Sequence, residues 1–274
     1  MEKTDNSPLV SIIMATFNEP ATFIESSIDS ILCQDYKHFE FLIADDSTNT
    51  ETIRVIDAAA AKDDRVKVIR KPSKMGFVHA LNYALSEAKG ELIARMDGDD
   101  IALPDRIGKQ VRFALANPSI DLFGGNIYII NQQGDIVSQR LYPNSSFSIK
   151  MMFTYRNPFA HPTIMCRRKI IDNGFFYDPE FKKAEDLELY LRLYKHGYKF
   201  RNMPDFLLRY RVVGDQQKKR TTENWVFNHK ARAKNFIPSK PFFSLCSWIV
   251  SWGYQHVPSK VISYLYEREN QNLP

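Results

Sequence analysis

Acidic residues follow an apolar run near the middle of the sequence. Asp97, Asp99 and Asp100 come directly after residues 91–96. Two carboxylates spaced one residue apart at a strand end can face the same way, and such hard oxygen ligands suit Mg²⁺ or Mn²⁺ ions that also bind phosphate oxygens. An isolated D-x-D more often forms an acidic turn that caps the next element. The segment therefore predicts a metal and phosphate site if a second feature supports it.

The second feature is another acidic pair, Asp45-Asp46, which follows the apolar run 39–44. Such residues cap a helix in many proteins, and an Asp can also accept hydrogen bonds from a ribose hydroxyl or a base N–H. Ligands of open α/β sheets bind beyond the carboxyl ends of the strands. The two acidic strand ends are therefore expected to point at one site.

A sheet must hold these residues in place, and the first hundred residues have the pattern for one. Runs of strand length alternate with stretches whose apolar residues recur at helical spacing. Predicted strands cover 9–16, 39–44, 66–69 and 91–96, and predicted helices cover 24–32, 52–62 and 80–88. The β-α-β order predicts a mostly parallel sheet flanked by helices.

The pattern is less regular from residue 104 onward. It predicts helices over 106–116 and around 187–194, a hairpin turn at 133–135, and strands over 122–130, 163–167 and 206–213. These elements indicate a mixed sheet. Beyond about residue 215 the composition becomes basic and aromatic, so the expected division is a domain over 1–215 and an extension over 216–274.

Composition excludes several classes of protein. The 274 residues are 44% hydrophobic and 25% charged, which is globular rather than disordered or fibrous. Three cysteines without a C-x-x-C pair indicate neither a disulfide framework nor a structural zinc site. The start of the chain lacks the pattern of a cleaved secretory signal, so a cytoplasmic location is expected.

Six segments, in this order, resemble the inverting family 2 glycosyltransferases with a GT-A fold. They are VSIIMATFNE (10–19), IADDS (43–47), GFVHALNYAL (76–85), GELIARMDGDDIALPDR (90–106), HPT (161–163) and AEDLELYLRL (184–193). The resemblance covers residues 8–215. It implies a Rossmann-like nucleotide-diphospho-sugar transferase fold with a nucleotide-sugar half over about 1–105 and an acceptor half over about 106–215, followed by a helical C-terminal extension.

The resemblance also implies roles for individual residues. The implied donor-nucleotide contacts are Thr16, Asn18, Glu19, Asp46, Lys74 and Asp97. Asp97 and Asp99 match the D-x-D pair that holds Mn²⁺ or Mg²⁺ on the diphosphate, with Asp99 as the main ligand. Asp186 matches the catalytic base, although a carboxylate at a helix start is also a common cap.

Further candidates for the acceptor or the diphosphate are Glu185, His161, Arg95 and Arg106. Arg95 equally suits a structural ion pair with a nearby Asp, and a lone His such as His161 is as often a hydrogen-bonded structural residue.

The implied reaction moves one sugar, most often from a UDP-sugar, to a hydroxyl of a glycan or a lipid-pyrophosphate-linked acceptor. A dTDP- or GDP-sugar is the reserve donor. Val213 stands where many relatives have a His, so a third protein ligand for the metal is not expected there. Gln217 to Thr221 (QKKRT) lacks the Trp of the Q-x-x-R-W motif of processive synthases, which indicates a non-processive enzyme.

The basic and aromatic tail, residues 225–266, suits either packing on the core or binding to an anionic membrane surface, and a peripheral position at the inner face of the plasma membrane is expected. The alternative function is a catalytically inactive relative that binds nucleotide-sugar or glycan. A dinucleotide oxidoreductase is disfavoured because no G-x-G-x-x-G follows the first strand. Nucleic acid is not an expected partner, because no recognised binding module accompanies the net charge of +5.

Overall fold

A computed structural model of the protein describes residues 7–213, 222–257 and 261. The chain forms two compact units. Among these residues, unit 1 contains 7–118 together with 165–174, and unit 2 contains 119–164 together with those from 175 onward.

Unit 1 is a sheet with helices. Its strands are β1 (Val10–Thr16), β2 (Phe39–Asp45), β3 (Val66–Ile69), β4 (Leu92–Asp97), β5 (Ile101–Ala102) and β8 (Met165–Arg167). Its helices are α1 (Ala21–Leu32), α2 (Thr50–Lys62), α3 (Phe77–Glu87), α4 (Arg106–Ala116) and α6 (Lys169–Asp172). The strand order is β3-β2-β1-β4-β8, with β8 antiparallel to β4 and the other pairs parallel. The parallel sheet predicted for this part of the chain is confirmed.

The register of the central strands brings their carboxyl ends together. Every residue of β1 and β2 is buried, as expected for strands covered on both faces. Thr16 pairs with Asp45 on one side of β1, and Ala15 pairs with Asp97 on the other. The two acidic strand ends therefore lie at the same edge of the sheet, as the sequence predicted.

Unit 2 contains strands β6 (Leu122–Ile130), β7 (Ile136–Arg140) and β9 (Phe200–Arg211). Its helices are α5 (Ser146–Phe153), a 3₁₀ turn (His161–Thr163), α7 (Glu185–Lys195), α8 (Thr222–Lys234) and α9 (Pro241–Tyr254). Strand β6 pairs with β7 in antiparallel and with β9 in parallel register. The mixed sheet predicted here is confirmed. An aromatic cluster fills the core beneath it and consists of Phe153, Phe159, Tyr190, Tyr194 and Phe200.

Two of the strands predicted after residue 104 were wrong in extent. The first begins at Met165 rather than at residue 163, because the N–H groups of Thr163 and Ile164 donate within the 3₁₀ turn to the carbonyls of Ala160 and His161. The last starts at Phe200 rather than at 206. Its Pro204 is accommodated at a register shift of the β6–β9 pair, where Asn126 donates to the Pro204 carbonyl at 2.8 Å.

The C-terminal helices differ in how they pack. Trp225 of α8 is buried and stacks on Tyr254 with ring centroids 4.2 Å apart. Lys230 and Lys234 pair with Glu180 and Asp178 of the same unit. Helix α8 therefore packs on the core, which is one of the two arrangements expected for the tail. Its lysines form ion pairs with carboxylates of this chain.

In helix α9, small polar side chains are buried and large apolar side chains are exposed. Ser244, Ser247 and Ser251 are buried, whereas five large apolar side chains on the other face are exposed. They are Phe242, Leu245, Trp248, Ile249 and Trp252. Among the described residues, every helix is too short or too polar to cross a bilayer. Residues 217–221, on which the non-processive prediction rested, and the tail beyond residue 261 lie outside the described residues.

Candidate active site

Three carboxylates converge where β4 ends. Asp97, Asp99 and Asp100 each offer an oxygen within 4.8 Å of the others. Gly98 allows this turn to close, because a Cβ there would lie 3.0 Å from Ile24 Cδ1 and 3.3 Å from the Glu19 carboxyl carbon. Carboxylate oxygens are the ligands that Mg²⁺ and Mn²⁺ prefer, so the donor set fits the divalent cation that the sequence predicted.

The electrostatics of this cluster favour a bound cation. Burial, together with the charges of Asp97 and Glu19, raises the pKa of Asp99 to about 6. Burial also raises the pKa of Glu19, against the hydrogen bonds that its carboxylate receives from Thr16 and from the Phe17 N–H. Excess negative charge is thus held at the carboxyl edge of the sheet, and a divalent cation would neutralise it.

Arg95 lies within this cluster on β4. Its guanidinium is buried and forms an ion pair with Asp97. The guanidinium carbon of Arg95 lies 5.6 Å from the centroid of the Phe77 ring. The structural ion pair considered for Arg95 is therefore present.

Arg106 does not suit the diphosphate contact that the sequence predicted for it. Its side chain is fully buried at the start of α4, where it donates to Gln110 Oε1 at 3.1 Å and to the Arg95 carbonyl at 2.7 Å. Burial lowers its pKa to about 9, with the charge of Asp100 acting in the opposite direction. Arg106 therefore supports the strand beneath the acidic turn.

The loop after β1 is hydrogen-bonded to the loop after β2 through Asn18. Asn18 has a left-handed backbone with φ 58°, and its N–H donates to Ser47 Oγ at 3.0 Å. Its side-chain oxygen accepts the N–H groups of Thr48 and Asn49, both at 2.8 Å. Asn adopts the left-handed region more readily than other non-glycine residues, because its short polar side chain can hydrogen-bond locally. Asn18 thereby fixes the loop that carries Thr16 and Glu19 against the start of α2.

Asp46 organises a second loop. Its carboxylate accepts the N–H groups of Met75 at 3.0 Å and Gly76 at 2.6 Å. This loop presents Lys74, whose ammonium lies 3.3 Å from the centroid of the Phe17 ring. Phe17 is 45% exposed. Phe17 was not among the predicted site residues, although a large aromatic residue between a strand and an Asn-Glu-Pro turn was a usable signal.

The predicted base, Asp186, lies in unit 2 in the first turn of α7. Ala184 precedes the helix with a left-handed φ of 58°. Asp186 Oδ1 accepts the Leu187 N–H at 2.7 Å, and Oδ2 accepts the Asn157 amide at 2.6 Å. Glu185 is the first residue of the helix. The helix dipole favours carboxylates at this end.

His161 has a structural environment within unit 2. Its Nε2 lies 2.7 Å from the Tyr177 hydroxyl, and its ring makes edge contacts with Tyr177 and Tyr190. Val213 follows β9 and has an apolar side chain that cannot ligate a metal.

Comparison with known proteins gives a consistent result. Residues 11–175 match the model of glycosyl transferase family 2. The O-antigen biosynthesis glycosyltransferase WbnJ of Escherichia coli is 34% identical over 208 residues, which cover 74% of this chain and 80% of WbnJ.

Solved structures of glycosyltransferases have the same fold. TarS 1-349 of S. aureus in complex with UDP-GlcNAc has a TM-score of 0.68 at 19% identity, over 87% of this chain and 70% of that one. A longer TarS chain is covered to 42%. The mannosyltransferase PcManGT of Pyrobaculum calidifontis, in complex with GDP-Man and Mn²⁺, has a TM-score of 0.63 at 19% identity, over 98% of this chain and 78% of that one. The predicted GT-A fold is confirmed.

Proposed function

The chain belongs to glycosyl transferase family 2, and on that premise we propose that it transfers one sugar from a nucleotide-diphospho-sugar to an acceptor hydroxyl with inversion at the anomeric carbon. The observation that carries the proposal is the cluster of three carboxylates at the carboxyl end of β4, beside the loops that follow β1 and β2. The acceptor is a glycan or a lipid-pyrophosphate-linked sugar.

On the donor side, Asp97 and Asp99 would hold Mn²⁺ or Mg²⁺. The cation supplies positive charge to the departing diphosphate. Lys74 adds a second positive charge from its loop. The exposed face of Phe17 offers a surface on which a nucleobase can stack, because every base has a flat π-face.

A UDP-sugar is the proposed donor. Asp46 uses two of its roughly four acceptor positions on Met75 and Gly76, which leaves capacity to accept a uracil N–H. TarS binds UDP-GlcNAc and PcManGT binds GDP-Man. GDP and dTDP therefore belong in every test of donor choice.

Asp186 is the proposed base. As the acceptor oxygen attacks the anomeric carbon, its proton passes to the Asp186 carboxylate and the bond from that carbon to the diphosphate oxygen breaks. The electron pair leaves with the nucleoside diphosphate. One displacement of this kind inverts the anomeric configuration, and a single addition gives the non-processive product.

The exposed apolar face of α9 supports a peripheral position on an anionic membrane. Its buried face is made of serines that hydrogen-bond within unit 2, so the apolar face is left for a partner. Trp side chains prefer the bilayer interface, and the net charge of +5 favours anionic lipid. A lipid-linked acceptor would be reached at the cytoplasmic face.

The test is release of UDP from UDP-glucose, UDP-galactose and UDP-N-acetylglucosamine with Mn²⁺ and alkyl glycoside acceptors. Asp186→Asn is expected to reduce kcat by about 10²–10⁴-fold, the usual contribution of a general base. The exposed Asp64→Asn serves as the matched control and should retain full turnover. Unchanged turnover in Asp186→Asn would remove Asp186 from the mechanism. Nucleotide binding without turnover of any donor would favour the inactive nucleotide-sugar-binding relative.

A further inference from the structure

Asn157 makes two hydrogen bonds that fix the orientation of its amide. Its Nδ2 donates to Asp186 Oδ2 at 2.6 Å, and its Oδ1 accepts the Phe159 N–H at 3.1 Å. A carboxylate accepts and an N–H donates, so only this orientation of the amide satisfies both partners. The amide is therefore aimed at Asp186.

The segment that carries Asn157 is anchored to the helix that carries Asp186. The Phe159 ring is buried and packs edge-on against Tyr190, one helical turn beyond Asp186, with ring centroids 5.1 Å apart. The buried Asn202 of β9 donates to the Pro158 carbonyl at 2.9 Å. The backbone between these anchors has little freedom, so the distance from Asn157 to α7 is set by the core of unit 2.

The Asp186 carboxylate is held from both sides. The Leu187 N–H fixes Oδ1 at 2.7 Å, and the Asn157 amide fixes Oδ2. Ala184 begins this turn in the left-handed region at φ 58°, a conformation that alanine seldom adopts. Strain of this kind is held where the surrounding structure determines the geometry.

We propose that Asn157 is a positioning residue that orients the Asp186 carboxylate for proton abstraction. The inference rests on the proposed role of Asp186. A carboxylate whose orientation is already fixed loses less freedom when the acceptor hydroxyl approaches. Asn157 itself exchanges no proton.

Two substitutions separate orientation of Asp186 from support of the local turn. Asn157→Asp retains an oxygen for the Phe159 N–H but replaces the Nδ2 donor with an acceptor. Asn157→Ala removes both contacts. For both variants we expect kcat for UDP release, measured with the same three UDP-hexoses, to fall at least tenfold, while the donor KM changes less than twofold. Asn144→Asp, at an exposed position of the same unit, is the matched control.

An exchanged pair provides a readout that does not depend on turnover. Asn157→Asp alone places two carboxylates together and should lower the Tm by at least about 4 °C. Adding Asp186→Asn restores an amide–carboxylate pair with its polarity reversed. More than half of the lost Tm should return, although turnover should not. This double variant decides the matter even if Asn157→Asp alone fails to fold.

Either of two results would overturn the proposal. Wild-type kcat in Asn157→Asp with loss in Asn157→Ala would mean that Asn157 only supports the turn. If the double variant loses at least as much Tm as the two single variants lose together, the two side chains are not coupled. If instead Asp186→Asn keeps full turnover, the proposed base fails, and a restored Tm would then identify only a structural pair.

Discussion

The raised pKa of Asp99 makes the electrostatics of the three-carboxylate cluster testable. Its carboxylate is partly buried beside Asp97 and Glu19, and its pKa is raised to about 6 from an ordinary value of 3.8. In the absence of metal the native state therefore binds this proton more tightly than the unfolded state does. The contribution of Asp99 to the stability of the metal-free protein therefore falls as the pH rises from about 4 to about 6.

Asp99→Asn removes that cost. In EDTA at pH 7 we expect the variant to be more stable than the wild type by about 1–3 kcal/mol, because a neutral amide needs no charge neutralisation. The difference should disappear as the pH falls below 4, where Asp99 is protonated in both states. Urea denaturation across this range measures it, with Asp64→Asn as control. A variant less stable than the wild type at pH 7 would contradict this electrostatic account.

In unit 1, the side chain of Glu40 on one strand contacts the two neighbouring strands of the sheet. The Glu40 carboxylate on β2 accepts from Ser11 Oγ on β1 at 2.7 Å and from Lys67 on β3 at 2.6 Å, and it also accepts the Lys89 N–H at 2.7 Å. Burial disfavours its ionisation, but these hydrogen bonds outweigh that cost and lower its pKa below the ordinary 4.5. The carboxylate is therefore a stabilising contact of the sheet at neutral pH.

Glu40→Gln is expected to lower the free energy of unfolding by about 1–3 kcal/mol at pH 7, the range for a lost hydrogen bond to a buried charged group. A lowered carboxyl pKa contributes stability above the unfolded-state value, and that contribution is lost as the pH falls through the folded-state value. The gap between variant and wild type should therefore narrow below pH 4.5. Urea titrations at several pH values test this, with the exposed Glu87→Gln as control. A gap independent of pH would assign the loss to packing alone.

Substitutions on the apolar face of α9 are expected to weaken membrane binding without loss of fold. Phe242 is 81% exposed and Ile249 is 51% exposed, so changing both to Ser should leave the Tm nearly unchanged. Each side chain contributes about 1.5–3 kcal/mol when buried, which predicts at least tenfold weaker partitioning onto phosphatidylglycerol vesicles. Val226→Ser on α8, at 49% exposure, is the control. Equal sedimentation of the double variant and the parent with vesicles would reject α9 as the contact.

At the scale of the whole molecule, unit 1 was predictable because its elements are local and strongly periodic. The strand Val66–Ile69 and the helix Arg106–Ala116 have the predicted bounds. Unit 2 was harder to predict, because helix Ser146–Phe153 lies in a stretch flanked by prolines and β9 accommodates Pro204 through a register shift. Proline ordinarily argues against a central strand, and only tertiary pairing overrides it here.

The candidate site was predictable only in part. The acidic strand ends were predictable, since the carboxyl ends of parallel strands meet at one edge. The burial of Arg106 was not, because a charged residue in a matching segment gives no sign that Gln110 and a carbonyl will enclose it. Asn157 could not be linked to Asp186 either, because the two lie 29 residues apart and meet only through the aromatic core.

The most direct test of the account is the Tm of the intact chain with UDP, GDP, dTDP and CDP, each in Mn²⁺ and in EDTA. A ligand that binds only the native state raises the Tm by mass action. We expect UDP with Mn²⁺ to give the largest increase, at least about 3 °C, with a smaller effect in EDTA and none in the Asp97→Asn/Asp99→Asn double variant. The same increase with and without Mn²⁺, or its retention in the double variant, would contradict a metal-assisted nucleotide site at the end of β4.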